Sequence, residues 1–260
     1  MPHLAVPGAS LHYRIDGAPD APAVLLSNSL GSTLSMWDAQ VASLVPHYRV
    51  VRYDSRGHGD SEVPSGPYTI DDLGRDAVGV LDALHIERAN FCGLSLGGMV
   101  GMWLGVNAPE RVTSLVLANT SALFGPASMW TERIEIVRSQ GLAPIAEGVL
   151  QRWFTPSFRA SSPSTVERCR RMLLGTPPEG YASCCAAIRD MNQVDALSLI
   201  RKPTLVIVGD HDPSTPPAHG ELIADHIAGA KLLRLPTAHL SNIEAAPAFN
   251  DALLEFLRNP

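Results

Sequence analysis

Ser95 lies in Phe91-Cys92-Gly93-Leu94-Ser95-Leu96-Gly97-Gly98, where an apolar strand pattern runs in and an apolar helix pattern runs out. Gly-x-Ser-x-Gly in that setting holds the serine in a strained turn that thrusts its hydroxyl out of a sheet. The flanking glycines let strand and helix pass closely. Taken alone, the pentapeptide also fits a glycine-rich turn whose serine merely caps the helix. A serine hydroxyl is a poor nucleophile near neutral pH and needs a base, plus a third group to orient that base. The chain supplies both downstream, in the order serine, acid, histidine. The candidate base is His239, in Leu235-Pro236-Thr237-Ala238-His239-Leu240-Ser241, after the last strand pattern. The candidate acid lies in Gly209-Asp210-His211-Asp212-Pro213, at the carboxyl end of a strongly apolar run, where open α/β sheets gather functional residues. Two carboxylates compete there. Asp212 is preferred, with Asp210 serving the turn, although either could be a loop aspartate making an Asx-turn.

Acyl transfer also needs donors for the developing oxyanion. The Leu96 N–H, directly after the nucleophile, is one. The second is expected from the loop Ser27-Asn28-Ser29-Leu30-Gly31-Ser32, with Leu30 N–H the chosen donor. Of the other histidines, His211 reads as a loop residue, and His58, in Arg56-Gly57-His58-Gly59, is expected to fix a tight turn.

Positioning these groups requires a sheet. Short branched apolar runs at Ala23–Leu26, Arg49–Tyr53, Ala89–Cys92, Ser114–Ala118, Thr204–Val208 and Leu232–Leu235 read as buried strands. Alternating runs around Leu4–Val6 and Leu11–Ile15 read as an antiparallel edge hairpin. Helical spacing separates the strands at Ile70–Leu84, Leu96–Ala108 and Phe249–Leu257, and the second is apolar nearly all round, so it should be buried. Alternation of this kind favours an α/β fold: a mostly parallel central sheet with helices on both faces. From 121 to 200 the strands stop. Helical segments at Trp130–Ser139, Ile145–Trp153, Thr165–Leu174 and Tyr181–Asp190, punctuated by proline and glycine, read as a helical cap inserted into a core formed by 1–120 and 201–260.

The chain has 260 residues, 45% of them hydrophobic, enough for one large domain with an insertion. A net charge of −6 argues against non-specific nucleic-acid binding. Between Leu123 and Ile200, however, eight arginines and no lysine face seven acidic residues. No apolar run is long enough to span a bilayer and no signal peptide is visible, so a cytoplasmic protein is expected. The cysteines, Cys92, Cys169, Cys184 and Cys185, lack the spacing of a zinc site and read as buried free thiols. With no dinucleotide, Walker or His-Glu-x-x-His pattern, nothing calls for a nucleotide, metal or other cofactor. The oligomeric state is not legible.

Together, the Ser95 turn, Asp54-Ser55-Arg56-Gly57-His58-Gly59-Asp60-Ser61, the Gly209–Pro217 loop and the His239 loop resemble the α/β-hydrolase fold over nearly the whole chain. Many relatives carry His-Gly in the oxyanion loop. Here Asn28-Ser29-Leu30-Gly31-Ser32, running on to Trp37-Asp38, resembles the 3-oxoadipate enol-lactonases of aromatic catabolism. So do Gly93–Met99 and Ala238–Glu244. That resemblance implies a small anionic lactone as substrate, opened through an acyl-enzyme in the β-ketoadipate pathway. Its carboxylate needs a cation or several donors. Arg133 and Arg138 in the cap are the candidates, beside Trp130, which could cover the ring, although Trp130 and Trp153 equally fit cap packing. Rival expectations are a carboxylesterase or perhydrolase-type enzyme with the same triad, a carbon–carbon bond hydrolase of ring-cleavage products, and a non-catalytic ligand receptor on this scaffold.

Overall fold

A computed structural model describes residues 2–260. Among them, the chain opens with β1 (His3–Val6), β2 (Ala9–Asp16) and β3 (Ala23–Ser27), then a 3-10 turn at Leu34–Trp37 leading into α1 (Asp38–Leu44). β4 (Arg49–Tyr53), α2 (Ile70–Ala83), β5 (Ala89–Leu94), α3 (Leu96–Asn107) and β6 (Val112–Ala118) follow. The next helices are α4 (Ala127–Gln140), α5 (Ala143–Trp153), α6 (Pro156–Ser161), α7 (Pro163–Leu174) and α8 (Pro178–Asp190). β7 (Thr204–Gly209), α9 (Pro217–His226), β8 (Lys231–Leu235), α10 (Ser241–Glu244) and α11 (Ala246–Arg258) complete the chain.

The eight strands among the described residues form one sheet in the order β1-β2-β4-β3-β5-β6-β7-β8. The two pairings at the start, β1 with β2 and β2 with β4, are antiparallel; the remaining five are parallel. This order decides where chemistry can gather. The carboxyl ends of β3, β5, β6, β7 and β8 lie side by side, with Ser27 opposite Gly93, Leu94 opposite Ala118, Ala118 opposite Ile207 and Gly209 opposite Leu235. Residues far apart in the chain therefore converge on one rim of the sheet.

β5 and β7 are buried throughout, as expected of central parallel strands covered on both faces. α3 packs against β5 and β6 and is buried along most of its length, in keeping with its unbroken apolar character. β8 departs from the sequence expectation of a buried strand. It lies at the sheet edge with Lys231, Leu232 and Arg234 exposed, and the two cations blunt an edge that would otherwise invite pairing. α9 was hidden by its own start. Pro216-Pro217 reads as a loop signal, yet Pro217 occupies the first turn, where the missing N–H costs nothing.

α2 carries a full capping box: Thr69 Oγ1 accepts from Asp72 N–H at 3.1 Å, and Asp72 Oδ2 accepts from Thr69 N–H at 2.9 Å. Thr69→Ala is expected to cost about 1 kcal/mol of stability, read as a lower urea midpoint at unchanged m-value. No helix among the described residues is long and apolar enough to cross a membrane.

Candidate active site

Ser95 sits between β5 and α3 with φ 58° and ψ −114°, outside the regions L-residues favour. Its neighbours explain how that strain is held. Ser95 N–H donates to the Ala118 carbonyl at 2.9 Å, and Thr120 Oγ1 donates to the Ser95 carbonyl at 2.7 Å, so the end of β6 and the residues just past it grip the turn on both sides. A Cβ at Gly97 would collide with the Ser27 carbonyl oxygen, and one at Gly93 with the Gly97 carbonyl, so the close passage of strand, helix and β3 loop excludes any side chain there.

His239, on the loop between β8 and α10, presents Nδ1 to Asp212 Oδ2 at 2.8 Å; both are buried. The buried Asp212 carboxylate is satisfied by protein donors in place of water. Oδ1 accepts from Ser214 N–H at 2.8 Å and Thr215 N–H at 3.0 Å. Oδ2 accepts from Thr215 Oγ1 at 2.7 Å and Asn119 Nδ2 at 3.0 Å, besides His239. Burial pushes the Asp212 carboxyl up, but the charge of protonated His239 and these hydrogen bonds outweigh it, and the net direction is down. Asp210 has a different fate. It is exposed and paired with Arg234 Nε at 2.8 Å on the outer side of the sheet edge.

Asn119 was not anticipated from the sequence. It stands just past β6 at φ 43°, donates to Asp212 and to the Ala238 carbonyl, and accepts from Ser241 Oγ at 2.6 Å. It thereby ties the acid loop to the histidine loop. Its signal was available: a polar residue at the carboxyl end of a buried parallel strand, beside the strands already assigned chemistry.

Ser95 and His239 line one cavity of about 160 Å³, together with Ser29, Leu30, Met99, Phe124, Trp130, Arg133, Arg152 and Trp153. Neither Ser95 Oγ nor His239 Nε2 bonds to another described residue. The Leu30 and Leu96 N–H groups likewise have no partner among the described residues, while their neighbours are tied down. Gly97 N–H donates to the Asn28 carbonyl at 3.0 Å, which fixes the β3 loop against the start of α3.

The helices between β6 and β7 contribute differently from expectation. Arg133 is in the cavity wall with its guanidinium 5.0 Å over the Trp130 ring. Arg138 is not. It is exposed and bound to Glu179 through two hydrogen bonds, 2.7 and 3.0 Å. Five residues along an α-helix is roughly 140° around its axis, so one helix cannot aim both side chains into the same cavity. The second cation is Arg152, from the end of α5. Burial, and secondarily the Arg133 charge, push its pKa down. Among the described residues neither Arg133 nor Arg152 has an ion-pair partner, whereas Arg138, Arg170 and Arg189 do. Trp130 Nε1 is buried without a hydrogen-bond partner among the described residues, an uncommon state for an indole.

A model of the alpha/beta hydrolase fold matches residues 22–246, and the chain belongs to the α/β-hydrolase family. Among its relatives, 3-oxoadipate enol-lactonase 2 of Acinetobacter baylyi is 45% identical, over 96% of this chain and 94% of that protein. The crystal structure of the enol-lactonase from Burkholderia xenovorans LB400 superposes with a TM-score of 0.98 at 45% identity, covering 99% of this chain and all of that one. A hydrolase from Pseudomonas aeruginosa PA01 superposes at 0.96 with 52% identity, over 98% and 97% of the two chains.

Proposed function

We propose that this protein is a serine hydrolase that opens 3-oxoadipate enol-lactone to 3-oxoadipate in aromatic catabolism. The observation that carries the reading is that one small cavity holds Ser95 and His239 together with two arginines that have no carboxylate partner among the described residues. Two uncompensated guanidinium groups in a confined space favour an anionic ligand, and planar forks suit a carboxylate. The family relatives named above point to the same substrate.

In this reading His239 Nε2 takes the Ser95 hydroxyl proton while Oγ attacks the lactone carbonyl carbon. Asp212 holds the Nδ1–H tautomer and stabilises the imidazolium that forms. The Leu30 and Leu96 N–H groups receive the oxyanion. Collapse of the tetrahedral intermediate breaks the ring C–O bond, and His239 returns its proton to the departing enol oxygen. The enol tautomerises to a ketone, which disfavours reclosure. Water, deprotonated by His239, then attacks the acyl carbon and releases 3-oxoadipate and free Ser95. The proton transfers of ring opening and deacylation pass through one imidazole, and no step calls for a cofactor. Arg133 and Arg152 hold the substrate carboxylate, and Trp130 covers the ring, with its indole N–H available to a substrate oxygen.

The test is a side-by-side spectroscopic assay on the enol-lactone, a neutral aryl ester and a ring-cleavage diketone, with preference for the lactone expected. Arg152→Gln and Arg133→Gln should each raise KM for the lactone about 10–100-fold, the worth of one charge-assisted hydrogen bond. KM for the aryl ester should move less than about threefold, and Arg138→Gln should change neither. Equal losses on both substrates would sink the carboxylate clamp.

A further inference from the structure

We propose that His58 is the positioning residue of the oxyanion loop: by accepting the Gly31 N–H, its imidazole fixes where the adjacent Leu30 N–H stands. This rests on the reading of Ser95 as nucleophile and Leu30 as oxyanion donor.

The loop from Asn28 to Leu34 has little regular structure of its own, so its shape depends on what grips it. At one end Asn28 accepts from Gly97 N–H, and Asn28 Nδ2 donates to the Tyr53 carbonyl at 2.8 Å. At the other end Leu34 N–H donates to Asp54 Oδ1 at 2.6 Å. Between them Ser29 N–H reaches Met36 Sδ at 3.3 Å, a weak bond, and Ser32 Oγ donates to the Ser29 carbonyl at 2.6 Å. Gly31 N–H donates to His58 Nε2 at 3.0 Å. Leu30 is the one residue from Ser29 to Ser32 whose N–H has no partner among the described residues. A donor left free for a ligand must be held by its neighbours, and His58 is the neighbour one peptide away.

The histidine is built for that single bond. A backbone N–H can only donate, so His58 Nε2 must be bare, which places the ring proton on Nδ1. Nδ1 in turn lies 3.3 Å from the Arg56 carbonyl, a suitable acceptor. The ring is 1% exposed, and burial pushes its pKa down to about 4, against the opposing pull of Asp54, so it stays an acceptor across the neutral range. Its own turn is rigid. Arg56 makes two 2.7 Å bonds to the buried Asp76, His58 N–H donates to the Ser55 carbonyl, and Gly57 N–H to the Glu62 carbonyl. The segment Asp54–Ser61 thus grips the oxyanion loop at two points, Gly31 through His58 and Leu34 through Asp54.

The experiment compares His58→Leu, which fills the space without an acceptor, with His58→Gln, whose amide oxygen can reach the place of Nε2. Readouts on the full chain are kcat and KM for the enol-lactone, thermal midpoint, and affinity for a trifluoromethyl ketone. That ketone adds to a catalytic serine as a hemiketal whose oxygen carries the developing charge. His58→Leu is expected to lower kcat about 10–100-fold, the scale of a misplaced catalytic group, with KM within about threefold. Ketone affinity should fall by a similar factor, and His58→Gln should recover kcat to within about threefold of the parent. A kcat for His58→Leu within about twofold of the parent would overturn the proposal, as would a lost kcat with undiminished ketone affinity. If His58→Leu does not fold, His58→Asn decides, because its shorter amide cannot reach Gly31. It should lose what His58→Gln keeps, and equal behaviour of the two overturns the proposal. Ser95→Ala separates the two levels. An active Ser95→Ala removes the underlying reading, whereas an inert Ser95→Ala beside a fully active His58→Leu removes only the role of His58.

Discussion

Ser95→Ala is expected to lower kcat/KM for the enol-lactone by about 10⁴-fold or more, leaving only what binding and the oxyanion donors supply without a nucleophile. The thermal midpoint should stay within about 3 °C of the parent. Ser95 Oγ bonds to no other described residue, and the turn is held by its backbone, through Ala118 and Thr120, so the substitution orphans no buried partner. An alanine tolerates the same positive φ no worse than serine does. A stable but inert variant, together with loss of any acyl-enzyme burst on an aryl ester, would place the covalent step on Ser95. Near parental turnover would refute the mechanism.

Asp212→Asn carries the second largest effect, a kcat loss on the order of 10³–10⁴-fold. The reason lies in the five donors around the carboxylate. An asparagine can keep its oxygen toward the Ser214 and Thr215 N–H groups, but its NH₂ then faces His239 Nδ1. His239 must respond by accepting at Nδ1, which moves its proton to Nε2. The nitrogen that should take the serine proton is then already protonated. Asn119 Nδ2 and the NH₂ group also meet as two donors. Asp210→Asn breaks an exposed pair with Arg234 and should change kcat less than about threefold. The reverse pattern would exchange the two assignments.

Much of the architecture was legible because periodicity reports burial, and burial is what a sheet or helix imposes on its sequence. The buried strands Arg49–Tyr53 and Thr204–Gly209 and the nearly all-apolar helix Leu96–Asn107 stand out in this way. Where an element has little burial to report, the signal fails. Leu232–Leu235 reads as a buried strand but lies in the exposed edge strand Lys231–Leu235, and the short helix Pro156–Ser161 is hidden behind its initial proline.

By itself the sequence determined which residue types close each strand, and in what order. Ser95 follows an apolar strand through glycines, an aspartate follows the next-to-last strand, and His239 follows the last. Those are local facts, written in neighbours along the chain. The sequence already favoured Asp212 over Asp210; the tertiary structure added their directions from one loop, Asp210 outward to Arg234 and Asp212 inward to His239. It alone brought Asn119 to the acid, His58 to Gly31, and Arg152 instead of Arg138 to Arg133. Such pairings span 27 to 93 residues of chain in the hydrogen-bonded cases, and sequence periodicity carries no information over that range. They are set by the strand order, which lays the carboxyl ends of β3, β5, β6, β7 and β8 side by side, and by the helical geometry that turns one arginine of α4 into the cavity and the other to solvent.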